Sequence, residues 1–383
     1  MRPLFYKNMK KFILIPDSFK GTLSSSKVCD IMKDRILNAF PDAKVISIPV
    51  ADGGEGSVDC FLTALGGQKV YCECSNPYFE KMQGFYGLIE NGKTAVIEMA
   101  CASGLPLVED RKNPLLTTTF GVGELMLDAV KKGVKKIILG LGGSCTNDFG
   151  CGSASACGVK FINKQGEQFI PTGKTLIDVD KIDLSCVNPL IKQVKIITMC
   201  DIDNPPFGEN GASHVFAPQK GASESDCEFL DMGVKHVCTV VKDNLGKDLS
   251  NLKGGGAAGA MGAGMVAFFD SQLKMGIQTV LDTVDFDKEL KDAYVVFTGE
   301  GKIDGQSLRG KVVIGVAERC KKQNVPVIAI VGGSEGDMEK AYEKGVSAIF
   351  SINRLPQDLS VSKHQSDVNL AFTMENVLRT LKI

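Results

Sequence analysis

Between Gly299 and Lys311 the chain reads Gly-Glu-Gly-Lys-Ile-Asp-Gly-Gln-Ser-Leu-Arg-Gly-Lys. Two carboxylates (Glu300, Asp304), three cations (Lys302, Arg309, Lys311) and four glycines share one short segment. It follows the apolar run Tyr294–Phe297 and precedes a helix-like run, Val312 to Cys320. Strand-to-helix connections of this kind are where open α/β sheets bind ligands. Glycines let backbone N–H groups approach an anion, and a helix N-terminus adds partial positive charge. Carboxylates can hold a cation. The chemistry suggested is the handling of a metal-bound phosphate.

Four more loops repeat the design of an apolar strand followed by acidic, glycine and hydroxyl residues. They are Asp17-Ser18-Phe19-Lys20-Gly21, Asp52-Gly53-Gly54-Glu55-Gly56, Gly142-Gly143-Ser144-Cys145-Thr146-Asn147-Asp148, and Cys200-Asp201-Ile202-Asp203-Asn204-Pro205. Any one alone reads as a capped turn. Five at strand C-terminal ends converge on the crevice above a parallel sheet. Phosphoryl transfer needs a base for the attacking hydroxyl, oxygen ligands for Mg²⁺, and cations or N–H groups for the moving phosphoryl. Asp17, Asp52, Asp148, Asp201 and Asp304 are candidates for the first two tasks. Lys20, Lys220, Lys302, Arg309 and Lys311 are candidates for the third, and Gly142-Gly143-Ser144 offers backbone donors to phosphate or a substrate carboxylate.

Three other motifs fail on context. Gly305 to Lys311 has Walker A spacing, but Val312 replaces the hydroxyl residue that would bind Mg²⁺. Gly262 to Ala267 fits a dinucleotide pattern without a clean preceding strand. Gly332-Gly333-Ser334-Glu335-Gly336 fits a nucleophile elbow, which makes a serine hydrolase using Ser334 a remoter alternative, with His364 its only downstream histidine.

The elements that must position these loops alternate at both chain ends. Strands are expected at Phe12–Pro16 and Lys44–Val50, with helices after Ser24, the best N-cap candidate, and around Val58–Leu65. The last ninety or so residues repeat the pattern, with strands at 294–298, 327–331 and 348–352 and helices at 312–320, 338–344 and 368–381. Such alternation implies a parallel sheet covered on both faces. The fold expected is α/β in two domains: a doubly wound, Rossmann-like domain from 1–67 plus 288–383, and an inserted mixed α/β domain, 68–287. At 383 residues, two domains are also the prior from length.

Composition narrows the function. The net charge of −1 gives no reason to expect nucleic acid or an anionic membrane as partner. The thirteen Cys are scattered without a C-x-x-C pair, and the three His lie far from any Cys pair, so neither a zinc site nor a disulfide framework is expected. Small thiols in a reducing cytoplasm fit better. Phe12–Ile15 is too short for a signal peptide, and the segment before Met9 reads as a leader or an upstream start. Gly254 to Phe269 is too short and too rich in glycine to span a membrane comfortably.

In order along the chain, Ile15 to Gly21, Ala51 to Gly56, Gly121 to Glu124, Gly142 to Asp148, Cys200 to Pro205, Pro218 to Ala222, Gly256 to Gly259 and Thr298 to Ser307 carry a resemblance. From about Lys11 to its end, the chain resembles the bacterial type I glycerate kinases, which phosphorylate D-glycerate with ATP. The resemblance implies a two-domain layout with the active site in the intervening cleft. It also implies ATP and Mg²⁺ as cofactors and transfer to the 2-hydroxyl, with the 3-hydroxyl or a related hydroxy acid as the alternative. The base is an inference from the residues and not from the resemblance: Asp201 or Asp148, Asp201 preferred, with Lys20 as a catalytic cation. Asp201, Glu300 and Asp304 are the metal candidates. Asp17, Ser18, Asp52, Gly53, Gly54, Gly142, Gly143, Ser144, Thr146, Asn147, Lys220, Glu300, Arg309 and Lys311 are the substrate and nucleotide candidates. The small molecules D-glycerate and ATP are the expected partners, and a homodimer is left open. A non-catalytic acid-binding protein would not collect so many carboxylates. Three residues depart from the family pattern: Cys145 for Ala, Phe149 for Gly and Arg309 for His. The last two are expected to bear on substrate fit.

Overall fold

The computed structural model describes residues 9–383 apart from Lys20, Asp52 and Gln306, and it does not describe the side chains of Arg309 and Leu359. The chain divides into two compact units, Met1–Ala51 with Ile277–Ile383, and Asp52–Gly276.

The first unit is built on one five-stranded sheet, all parallel. Its strands, in chain order, are Lys11–Pro16, Lys44–Ser47, Ala293–Glu300, Val327–Val331 and Ala348–Ser351. Numbered within the unit, their spatial order is 2-1-3-4-5. This is the shorter of the two common doubly wound orders, and its ligand crevice lies between strands 1 and 3. Phe12, Ile13, Leu14 and Ile15 are all fully buried, because the strand they form is covered on both faces. Phe12, Leu14, Val295, Phe297, Ile328 and Ile330 share a core with Val28, Met32 and Ile36 of helix Ser25–Ala39 and Leu370, Met374 and Val377 of helix Ser366–Thr380. Ser24 caps the first of these helices, its side chain accepting from Lys27 N at 3.3 Å, as expected from sequence.

The second unit holds a six-stranded mixed sheet. Strands Thr94–Glu98, Lys136–Gly140, Lys195–Met199 and Gln272–Lys274 run parallel, and the antiparallel pair Gln68–Ser75 and Lys81–Ile89 extends one edge. A small antiparallel sheet of Lys160–Ile162, Gln168–Phe169 and Lys181–Asp183 stands apart from it. The core gathers Phe149, Phe161 and Phe268 with Leu125, Val234 and Val237.

The division between units falls elsewhere than expected at both ends. Helix Ser57–Leu65 belongs to the second unit, because its apolar face lies against Gly87, where an added Cβ would come 3.1 Å from Val58. Ile277 to Phe286 belongs to the first unit, where Ile277 packs against Gly315 of helix Val312–Lys322. Among the described residues, no helix is long and apolar enough to cross a membrane.

Candidate active site

In the first unit, Asp17 begins the loop after strand 1 and Glu300 ends strand 3. Adjacent parallel strands carry them to the same end of the sheet, and Asp17 N donates to Gly299 O at 2.8 Å. Ser18 N donates to the Asp17 carboxylate at 2.6 Å. Glu300 is only 7% exposed, and among the described residues its Oε1 has no hydrogen-bond partner. Burial, reinforced by the negative charges of Asp17 and Asp304, pushes its pKa up to about 7, while Ser307 and Lys311 oppose the rise. A turn after Gly301 is locked by reciprocal bonds. Asp304 N donates to Ser307 Oγ at 3.3 Å, and Ser307 N donates to Asp304 Oδ1 at 3.2 Å. Gly310, at φ +104°, then redirects the chain into helix Val312–Lys322, and among the described residues no side chain caps the N-terminus of that helix. The first-turn N–H groups are therefore available to an anion. Three acidic residues beside an uncapped helix N-terminus can hold a cation together with a phosphate.

In the second unit, the candidate glycines serve close packing. Gly142 N donates to Gly53 O at 3.0 Å, and a Cβ on Gly142 would lie 2.5 Å from Gly54 Cα. A Cβ on Gly53 would lie 3.2 Å from the Met199 Cβ. Backbone rests directly on backbone at Gly142, so that position admits no side chain. The helix that follows Gly56 is occupied at its N-terminus by Glu98, which sequence reading missed. This buried carboxylate accepts from Val58 N at 2.6 Å, and burial raises its pKa.

Beyond Gly143 lies a buried polar cluster. Lys220 is 2% exposed and donates to Ser144 Oγ at 2.8 Å and Thr146 O at 2.7 Å. Among the described residues its third N–H has no partner. Desolvation lowers its pKa to about 8, against the pull of Cys145 and Asp148. Asn147 donates through Nδ2 to Ser213 Oγ at 3.2 Å, and among the described residues Asn147 Oδ1 and Thr146 Oγ1 are buried and unpartnered. Orphaned buried acceptors cost about 1–3 kcal/mol each; ligand hydroxyls would donate to them, and a ligand carboxylate would accept from Lys220. Ala258, Gly259 and Ala260, all in left-handed backbone, abut this loop. A side chain on Gly259 would collide with Thr146 O, and Phe149 N donates to Gly259 O at 3.0 Å. Backbone strain of this kind gathers at ligand sites.

Asp148 has a different place from Asp201. It is fully buried and accepts from Thr119 N at 2.7 Å, Thr119 Oγ1 at 2.8 Å, Gly150 N at 3.0 Å and Gly152 N at 3.2 Å. Burial raises its pKa, and these donors hold the rise back. Such a carboxylate organises a loop and cannot meet a substrate hydroxyl without losing its donors. Asp148→Asn turns an amide group toward them, and a loss of about 3 kcal/mol is expected in urea denaturation at pH 7. Asp201 is half-buried and accepts from Gly276 N at 2.7 Å. Phe149, expected to bear on substrate fit, points into the core instead, its ring 6.1 Å from that of Phe268.

Lys20 and Asp52 lie outside the described residues, as does the side chain of Arg309. No group of three or more His, Cys, Asp or Glu forms a ready metal cage among the described residues. Ser334 makes no hydrogen bond to His364 or to any other base among them, and its backbone φ is not in the left-handed region, so the elbow reading loses its geometry.

The glycerate kinase family profile matches residues 12–382. A glycerate kinase of Bacillus cereus is 44% identical over 374 residues, 97% of this chain and 98% of that protein. A glycerate 2-kinase of Escherichia coli K12 is 40% identical over 97% of this chain and 98% of its own. A solved structure from Salmonella typhimurium LT2, whose description names glycerate kinase 2, has a TM-score of 0.87 at 39% identity, covering 98% of this chain and 99% of that one. With the profile spanning nearly the whole chain and the solved fold superposing on it, the chain belongs to the glycerate kinase family.

Proposed function

We propose that the protein transfers the terminal phosphoryl group of ATP to the 2-hydroxyl of D-glycerate, giving 2-phosphoglycerate and ADP. The observation that carries this reading within the fold is Glu300, a buried carboxylate at the crevice between strands 1 and 3 with one oxygen unpartnered among the described residues. The name of the Escherichia coli relative supports the 2-position.

Mg²⁺ suits the Glu300 environment, because it is commonly bound by one or two carboxylates together with substrate phosphates rather than by an all-protein cage. Glu300 and Asp304, with Asp201 as a further candidate, would hold it, and when bound it neutralises charge on the transferring phosphoryl group. Asp17 adds negative charge beside Glu300. Lys311 and the first-turn amides of its helix are assigned to the phosphates, with Lys20 and Arg309 as further cations. Lys220, Ser144, Thr146 and Asn147 are assigned to glycerate, the ammonium to its carboxylate and the orphaned oxygens to its hydroxyls. Asp201 is assigned the base, since Asp148 is committed to its loop. A base held beside a hydroxyl acts through geometry first and pKa second. Thirteen cysteines without a C-x-x-C pair accord with a cytoplasmic location.

The test is ADP release from ATP and Mg²⁺ with D-glycerate, L-glycerate and related hydroxy acids, followed by phosphorus NMR. Release dependent on D-glycerate with a 2-phosphate signal is expected. A 3-phosphate signal would move the acceptor, and no acid-dependent release from folded protein would refute the kinase reading.

A further inference from the structure

The Gly332-Gly333-Ser334-Glu335 segment, left without a task by the loss of the elbow reading, borders a cavity of about 380 Å³ in the first unit. That volume falls within the usual range of about 300–1,000 Å³ for small-molecule sites. The cavity opens beyond the C-terminal ends of strands 3, 4 and 5, on the side of the sheet where doubly wound folds bind ligands. Its lining is of three kinds, one of them the ion pair of Lys302 and Glu335. Phe19 and Ile352, 3% and 2% exposed, give it apolar walls. Thr22, Ser334 and Asn353 give it hydrogen-bonding groups. Asn353 Nδ2 donates to Gly332 O at 2.6 Å, which fixes the side chain, and among the described residues neither Asn353 Oδ1 nor Ser334 Oγ has a partner. An apolar slot with a fixed amide oxygen and a free hydroxyl suits a flat heterocycle carrying a sugar.

The cavity also has a direction. Gly301, the neighbour of Glu300, forms one wall, and Phe19, two residues after Asp17, forms another. A ligand seated here would extend toward the acidic crevice and the uncapped helix of Lys311. An anionic tail could occupy that crevice only together with a cation, which a nucleotide carries.

We infer that this cavity is the nucleoside pocket of the phosphoryl donor: a nucleoside di- or triphosphate seats its base and ribose among Phe19, Gly333, Ser334 and Asn353. The inference rests on the proposed kinase reading for its role and on the cavity alone for binding, so the two are tested apart. Gly333 provides the test. Its φ is not left-handed, and a Cβ there meets nothing within 4 Å, so a side chain fills the cavity without strain. Its neighbour Gly332 could not be used, since a Cβ there would strike Gly301 O. In Gly333→Leu, and independently in Ser334→Trp at an exposed position, the KM for ATP should rise at least tenfold while the KM for glycerate and kcat at saturating ATP stay within twofold. Calorimetric binding of ADP with Mg²⁺, and of adenosine alone, should be seen in the wild type and lost in both variants. The binding arm reads the pocket even if no acid acceptor is found. ADP binding unchanged in both folded variants, or absent from the wild type, would overturn the inference.

Discussion

Glu300→Gln is expected to give a protein that is more stable than the wild type above pH 7 and almost inactive. Glu300 is ordinary in unfolded chains, with a reference pKa of 4.5, and in the folded protein burial and the neighbouring Asp17 raise it to about 7. Between those values the native state holds a proton that the unfolded state has released. Stability therefore falls as pH rises through this window and is fully lost above it, by about 3 kcal/mol in total. Glutamine has no proton to lose and escapes the penalty. Ligand-free wild type and variant should denature alike near pH 4.5, and the variant should gain up to about 3 kcal/mol by pH 8. Turnover should fall by about a hundredfold or more, the scale of losing one group that stabilises transition-state charge. Parallel denaturation curves across pH, or near-normal turnover, would contradict this account. The expected pairing of gained stability with lost activity is the signature of a carboxylate kept for chemistry at a cost to the fold.

The second large effect is expected at Lys220. Its folded pKa of about 8 lies below the reference of 10.5, because the ammonium is buried. The unfolded state holds the proton more tightly between these values, so stability rises with pH from about 8 to about 10.5. Below pH 8 the native state carries the full desolvation cost, about 3 kcal/mol. Lys220→Met removes that cost and also the bonds to Ser144 and Thr146, so stability at pH 7 should change by no more than about 1 kcal/mol. The KM for glycerate should rise about a hundredfold, because the carboxylate loses its cation. Near pH 8.5, glycerate should also draw a proton onto wild-type Lys220. Calorimetry in buffers of different ionisation heat would show this uptake in the wild type and not in the variant. An unchanged KM would remove Lys220 from the substrate site.

Much of this was legible in residue order. The apolar runs at both chain ends announced a parallel sheet, and the acidic loops after them pointed to its C-terminal edge, where Asp17 and Glu300 stand. Ser24 could be read as a helix cap because capping is local. What sequence could not show depends on tertiary partners. Asp148 and Asp201 look alike as loop aspartates, and only Thr119, Gly150 and Gly152 reveal that the first is consumed by its own loop. Glu98 ends an unremarkable strand, and its partner, Val58 N, is forty positions away. Ala258 and Ala260 carry no local sign of left-handed backbone, since alanine is among the best helix formers. The Thr117-Thr118-Thr119 run before helix Phe120–Lys131 was the one available signal for the Asp148 donors, as hydroxyl residues there favour local caps.

The central strand pair of the first unit has a consequence for how the protein is made. Thr298 Oγ1 donates to Ile15 O across 283 positions of sequence. At about 5–20 residues per second of synthesis, the first strand emerges tens of seconds before the strand it must pair with. The second unit, contiguous in sequence, can fold in that interval. The Asp17–Glu300 crevice can form only once the last hundred or so residues are on hand, so a nascent or prematurely ended chain carries no partial version of it.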